Sequence, residues 1–220
     1  MSFSSDWIRA RLAQTEPGIR RAGIRIRGDH DGNPGLGPEP DKPLRPAAVL
    51  VPLIARPEGL SVLLTQRTAH LHDHAGQVSF PGGRVDAEDS DAIAAALRET
   101  EEEIGLARKH IEIVGRLDTY QTRTAYQVTP IVGIVTPPFD LMPDDFEVAD
   151  IFEVPLEYAL NARNHERHSK IFQGIERQFW VLPYRDRYIW GATAGMLVNL
   201  YEALTGEAAV PRPPGSASRE

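Results

Sequence analysis

A glutamate-rich run stands shortly behind a glycine pair. Residues 98–106 read Arg-Glu-Thr-Glu-Glu-Glu-Ile-Gly-Leu, and Phe80-Pro81-Gly82-Gly83 precedes them. No other feature narrows what this chain can fold into so far. A helix turns about 100° per residue, so Ile93, Leu97, Thr100 and Ile104 are expected to form one mostly apolar stripe. Glu99, Glu102 and Glu103 are expected together on a face roughly opposite, with Glu101 pointing elsewhere. Like charges three or four residues apart cost a helix roughly 0.2–0.5 kcal/mol per pair, and Glu99 meets that cost against both Glu102 and Glu103. Three carboxylates converging beside a glycine turn suit a hard divalent cation that keeps open positions for water and phosphate oxygens. An isolated Glu-rich helix usually presents only a solvated acidic face. Here the glycine turn and the stops at both helix ends turn the reading toward a metal site.

On these residues, the segment from Gly83 to Leu106 resembles the Nudix box, the signature of hydrolases that cleave nucleoside diphosphates linked to another group. Gly83, Arg98, Glu99, Glu102, Glu103, Gly105 and Leu106 match the family pattern. Asp89 stands where the family has Glu, eight residues rather than seven separate it from Arg98, and Thr100 occupies a usually apolar position. The spacing among the three glutamates is intact, so these departures bear on one structural contact, between Asp89 and Arg98. The resemblance implies that Glu99, Glu102 and Glu103 hold Mg²⁺ or Mn²⁺. It also implies that a Glu of this set, or Glu147, takes a proton from the attacking water, and that Arg98 orients Glu99 or its neighbours.

A narrower resemblance lies upstream. Leu63-Leu64-Thr65-Gln66-Arg67, then Gly76 and Phe80-Pro81-Gly82-Gly83, is similar to the extra motif of the coenzyme A pyrophosphatase branch. That motif has Ser or Ala after the Arg and a second Arg five residues on; this chain has Thr68 and His72. His72 can donate a hydrogen bond and, when protonated, face a phosphate, although Arg offers a planar, permanently charged fork. The implied substrate contacts are Arg67, His72, Gly76, Phe80, Gly82 and Gly83. The implied substrate is a small-molecule diphosphate of the coenzyme A class. Other Nudix substrates stay open (nucleotide sugars, dinucleotides, ADP-ribose, nucleoside triphosphates), as does a non-catalytic nucleotide-sensing module. The glutamate set argues against the last, because a sensor has no need of three repelling carboxylates.

At 220 residues the chain suits one domain with a full core. No apolar stretch approaches a membrane span. The chain has no cysteine, which excludes disulfides, thiolate catalysis and cysteine-ligated zinc. A formal net charge of −7 argues against a general nucleic-acid binder, though not against a phosphorylated small molecule, since a metal and a few arginines reverse the local potential. The basic N-terminus (Arg9, Arg11, Arg20, Arg21, Arg25, Arg27) is interrupted by Asp6 and Glu16, and a transit peptide is not expected. No secretory apolar region is present and the final Ser-Arg-Glu is no peroxisomal address. A cytoplasmic protein is expected, contacting neither membrane nor nucleic acid, with a homodimer left open.

The organisation expected is an N-terminal helix and irregular lead-in over 1–46, a Nudix hydrolase domain over 47–205, and a disordered tail over 206–220. Within it, a helix is expected over 4–15, capped by Ser4 or Ser5. Strands are expected over 47–56, 60–67, 111–120, 126–136, 147–156, 167–173 and 178–184, with a short one through Phe80. The box helix starts at a cap on Asp89 or Ser90 and ends at Gly105. A brief helix over 157–164 and a final amphipathic one over 192–204 complete an α/β fold, a mixed β-sheet sandwiched between α-helices. His70, His72 and His74 alternate, but without an obvious fourth ligand a polar loop lining the pocket is expected rather than a zinc site. Phe172, Phe179, Trp180 and Trp190 are expected in the core or an interface.

Overall fold

The computed structural model describes residues 3–13, 26–33, 37, 43–71 and 74–215. Helix α1 covers Ser5–Ala13, and the Ser4 hydroxyl accepts the Trp7 N–H at 3.2 Å as the expected cap. Strands β1 (Ile26–Gly28), β2 (Arg45–Arg56), β3 (Gly59–Arg67), β4 (Val78–Ser79) and β5 (Gly82–Arg84) lead into helix α2 (Ala92–Ile104). Strands β6 (Ile111–Arg116), β7 (Thr119–Gln121), β8 (Tyr126–Val135) and β9 (Val148–Pro155) follow, then the short helix α3 (Leu156–Ala159). Strands β10 (Glu166–Phe172), β11 (Ile175–Tyr184) and β12 (Arg187–Trp190) and helix α4 (Gly191–Thr205) complete the order.

The large sheet runs β1-β7-β8-β2-β3-β4, with β5 paired to β2, β6 to β8 and β9 to β3. The pairs β2–β8 and β1–β7 are parallel and the other pairs antiparallel. Successive side chains of a strand point to opposite faces, and β2 is buried on both. Ala47, Val51 and Leu53 join the core under α1 and α4, while Ala48 and Leu50 meet Ala95 and Ala96 of α2. A mixed sheet between helices results, as expected. The strands β10-β11-β12 form a second antiparallel sheet.

Several boundaries differ from the sequence reading. The lead-in is not irregular throughout: β1 pairs with β7, and buried Arg27 is held by Asp118 at 3.1 Å and by Glu202. The strand expected over 111–120 is two strands. Between them the Asp118 N–H donates to the Asn199 side chain at 2.9 Å instead of continuing a ladder. Strand β12 had no counterpart in the expectations. Residues 206–215, part of the expected disordered tail, are placed: the Arg212 N–H donates to the His165 carbonyl at 3.1 Å and its carbonyl accepts the Arg167 N–H at 2.7 Å. Residues 216–220 lie outside the described residues.

Candidate active site

Helix α2 begins one or two residues later than expected. Asp91 is its cap, accepting the Ala94 N–H at 2.8 Å, whereas Asp89 serves Arg98. Gly105 ends the helix in the left-handed region at φ 68°, as expected. The packed face, however, is rotated from the expected one. Ala95, Ala96, Thr100, Glu103 and Ile104 are buried, while Ile93 is 38% exposed and Leu97 only half-buried. Small alanines let the helix approach Ala48 and Leu50 of β2 closely, and that proximity decides the face over side-chain size. Thr100 tolerates burial because its hydroxyl donates to the Ala96 carbonyl at 2.6 Å. The three glutamates therefore do not share one outer face. Glu103 lies in the seam against the sheet, Glu99 at its edge and Glu102 at the surface.

Arg98 links the helix to the preceding loop. It holds both carboxylate oxygens of Asp89, at 3.0 and 2.9 Å, and donates to the Arg84 carbonyl at 3.2 Å. Its remaining nitrogen reaches Glu99 and Glu102, each at 3.0 Å. The substitution of Asp for Glu and the extra residue are thus absorbed, and the contact between Asp89 and Arg98 is made. That bidentate pairing holds the Asp89 carboxyl below the usual carboxylate range.

The glycines place the backbone where no side chain would fit. Gly82 has φ 145°, and a Cβ there would overlap the Ala48 carbonyl oxygen. Rather than a free turn, Gly82 and Gly83 belong to β5, opposite Val49 and Ala48. The Gly82 N–H donates to Glu103 at 3.1 Å, and a Cβ on Gly83 would stand 2.5 Å from the Glu99 carboxyl carbon. The same Glu103 meets Arg67 at 3.5 Å, and Arg67 meets Glu147 at 3.4 Å. Thr68 fastens the Glu147 loop, its hydroxyl donating to the Phe146 carbonyl at 2.8 Å and its N–H to the Glu147 carbonyl at 2.9 Å. Burial pushes the Glu103 carboxyl up to about 7, against the lowering effect of the Gly82 N–H and Arg67. Burial also raises Glu99, although Arg98 opposes it.

Glu99, Glu102, Glu103, Glu147, Arg98 and Arg67 are therefore gathered at one end of α2. Among the described residues, no three His, Asp or Glu side chains are grouped as a ready-made cage; Glu99 and Glu102 turn to Arg98, and Glu103 turns to Gly82 and Arg67. The donor set nonetheless fits a hard divalent cation. It consists of carboxylate oxygens, and burial holds two of the carboxyl groups, Glu99 and Glu103, above their ordinary range despite the neighbouring Arg98 and Arg67.

Beside the glycines opens a cavity of about 690 Å³ between the α4 side of the large sheet and the small sheet. Arg67, His74, Phe80, Gly82 and Gly83 border it. Gly76 does not: at φ 68° it turns the chain toward a separate depression beside Tyr188. His72 lies outside the described residues, and the His70 ring instead packs on Phe146 at 4.9 Å. Phe172, Phe179, Trp180 and Trp190 line the cavity rather than being sealed in a core. Sequence reasoning missed the cations on this wall, Arg123, Lys170 and Arg177, because Lys170 and Arg177 meet only through the β10–β11 register and Arg123 comes from the turn between β7 and β8.

Residues 44–175 match the NUDIX domain. The chain is 44% identical over 156 residues to the uncharacterized Nudix hydrolase NudL of Escherichia coli (strain K12), covering 71% of this chain and 81% of that one. NudL of Shigella boydii serotype 18 is 43% identical over the same length. A Caenorhabditis elegans Ap4A hydrolase complex aligns with a TM-score of 0.44 at 26% identity, covering 50% of this chain and 80% of that one. A MutT/nudix family protein from Enterococcus faecalis aligns with a TM-score of 0.47 at 19% identity, covering 77% and 65%. A mixed sheet between helices, with the box helix set against a Gly-Gly strand, is the Nudix fold. The chain belongs to the Nudix family, as a hydrolase of a pyrophosphate-containing small molecule. Such hydrolases in general use divalent cations such as Mg²⁺ or Mn²⁺. No helix among the described residues is long and apolar enough to cross a membrane.

Proposed function

We propose that this hydrolase cleaves the pyrophosphate bond of coenzyme A or its derivatives, giving 3′,5′-ADP and 4′-phosphopantetheine or its acyl form. One observation carries the reading. The segment resembling the coenzyme A motif brings Arg67 between Glu103 and Glu147, within 3.5 Å of the first and 3.4 Å of the second. The motif and the box thus meet at one point beside a cavity of about 690 Å³, inside the usual range for small-molecule sites.

Glu99, Glu102 and Glu103 would hold Mg²⁺ or Mn²⁺, which when bound neutralises phosphate charge and acidifies a water. Arg98 acts through others as a positioning residue, fixing Glu99 and Glu102 against Asp89. The Gly82 N–H holds one oxygen of Glu103 and leaves the other toward Arg67. Water adds to one phosphorus, the bridging P–O bond breaks, and the proton released by water passes to Glu103 or Glu147, the two carboxylates flanking Arg67. Arg67 supplies a fixed positive fork to a phosphate oxygen, and the side-chain-free backbone of Gly82 and Gly83 permits close approach of the diphosphate.

The test is a product assay with Mg²⁺ or Mn²⁺ on coenzyme A, dephospho-coenzyme A, ADP-ribose and a nucleoside triphosphate. Coenzyme A is expected to give the highest kcat/KM. Arg67→Ala should lower that value by roughly one to two powers of ten, the worth of a hydrogen bond to a charged group. Preference of the wild type for ADP-ribose or the triphosphate overturns the coenzyme A assignment and leaves the Nudix hydrolase.

A further inference from the structure

The wall of the cavity formed by the small sheet carries cations in an arrangement that the fold alone disfavours. Lys170 of β10 and Arg177 of β11 are cross-strand partners, and like charges directly opposite in an antiparallel pair are destabilising. Arg123, from the turn between β7 and β8, converges on them: the Arg177 and Arg123 guanidinium carbons lie 4.7 and 5.5 Å from the same Phe172 ring. All three cations line the cavity, and none has an ion pair among the described residues. The Arg177 Nε is shielded from solvent and has no hydrogen-bond partner. The acids of this wall are engaged otherwise. Asp29 accepts the Tyr120 hydroxyl at 2.9 Å and the Arg123 backbone N–H at 2.8 Å, and Asp31 accepts the Gly28 N–H at 3.3 Å.

We infer that Arg123, Lys170 and Arg177 form a clamp for a phosphomonoester carried by the ligand in addition to the diphosphate that is cut. Two guanidinium forks and one ammonium match a compact dianion with three terminal oxygens. The residues that address the scissile diphosphate, Arg67, Gly82 and Gly83, border the same cavity from other elements, so one ligand reaches both. The inference rests on the reading that this site cleaves a diphosphate. In coenzyme A the group would be the 3′-phosphate of the ribose.

The experiment measures kcat/KM on substrate pairs that differ only by a phosphomonoester: coenzyme A with dephospho-coenzyme A, and ADP-ribose 2′-phosphate with ADP-ribose. The wild type should prefer the phosphorylated member of at least one pair. Arg177→Gln should shrink that preference by about 10–100-fold, through KM, as expected for a lost charged hydrogen bond; Lys170→Gln should act in the same direction. Preservation of the preference ratio in both variants, or a wild-type ratio near one in both pairs, overturns the clamp. Coenzyme A turnover with an unaltered ratio sinks the clamp and spares the proposed substrate. A variant-sensitive preference confined to the ADP-ribose pair does the reverse. Without turnover, the shift in melting temperature caused by adenosine 3′,5′-bisphosphate against AMP reads the same clamp. The bisphosphate should stabilise the wild type more, and Arg177→Gln should equalise the two; equal shifts in the wild type refute the clamp.

Discussion

Two adjacent glycines in β5 separate folding from chemistry within one dipeptide. Gly82 sits at φ 145°, and a Cβ there would overlap the Ala48 carbonyl oxygen and stand 2.5 Å from the Val49 Cα. Both obstacles are backbone of β2, which is paired on both sides and cannot yield. Strained backbone costs about 1–3 kcal/mol, and forced shifts in a packed interior cost about 1–3 more. Gly82→Ala should therefore lose about 3 kcal/mol, which at ~2–4 °C per kcal/mol for a domain of this size lowers Tm by ~6–12 °C. Gly83 differs, since its backbone is not in the left-handed region and the nearest obstacle is the Glu99 carboxyl, 2.5 Å away. The end of a flexible side chain can move. Gly83→Ala should keep stability within the ±0.5 kcal/mol typical of mild substitutions, leaving Tm within ~2 °C, yet displace Glu99 from its place beside Arg98. Loss of a group that orients a metal ligand typically costs ~10–100-fold, and kcat/KM should fall by that much on the best substrate of the panel. Differential scanning fluorimetry and initial rates give both numbers. A fully active Gly83→Ala would show that the Glu99 position is immaterial to the chemistry, and an unshifted Tm for Gly82→Ala would refute the close approach of β5 to β2.

Chelation should abolish turnover, with Mg²⁺ or Mn²⁺ restoring it. Glu102→Gln and Glu103→Gln should each cut kcat by at least ~100-fold with folded circular dichroism; near-normal rates in both would remove these residues from the metal site. Ile104→Ala should cost ~2–5 kcal/mol, because Ile104 is fully buried. Leu97→Ala should cost clearly less, and denaturant melts giving the reverse order would restore the face read from periodicity. His165 is fully buried, donates from Nε2 to the Ala159 carbonyl at 2.7 Å and has no partner on Nδ1; burial lowers its pKa. Below the unfolded value of ~6.5 the unfolded chain gains a proton that the folded one refuses. Stability should then decline as pH falls through ~6.5, by at most ~1.4 kcal/mol per pH unit. Denaturation of wild type and His165→Gln between pH 7.5 and 5.5 should show a shallower slope in the variant, and equal slopes would discount His165.

The mixed sheet, the box helix and its glycine stop were legible because each rests on local chemistry: apolar runs, capping residues and one left-handed position. The face of α2 was not. Periodicity weighs Ile93 and Leu97 above Ala95 and Ala96, but the helix is chosen by its distance to β2, and small residues permit the shorter distance. For the same reason Glu103 was read on the face opposite the apolar stripe, although its carboxylate is buried with the Gly82 N–H and Arg67 as partners. The link between Asp89 and Arg98 depended on how one extra residue would be absorbed, which the cap at Asp91 settles. The cationic wall was hidden more deeply. Lys170 and Arg177 are opposed only through the β10–β11 register, and Arg123 joins them from another sheet.

Charge gives the cavity a direction. The carboxylates at the end of α2 repel one another, and without compensation the pairs of Glu99 with Glu102 and Glu103 would each cost the helix ~0.2–0.5 kcal/mol. Arg98 and Arg67 offset that repulsion from opposite sides of the helix end, one toward Glu99 and Glu102, the other toward Glu103 and Glu147. Two monovalent groups still leave four carboxylates under-neutralised, which is the local demand a divalent cation answers. The small-sheet wall has the opposite demand, with Arg123, Lys170 and Arg177 lining it without an ion pair among the described residues. A ligand with phosphate at both places satisfies the wall directly, but meets the carboxylate end only when a cation stands between like charges. On the proposed reading, orientation of the substrate and dependence on metal follow from one asymmetry, despite a formal charge of −7 for the whole chain.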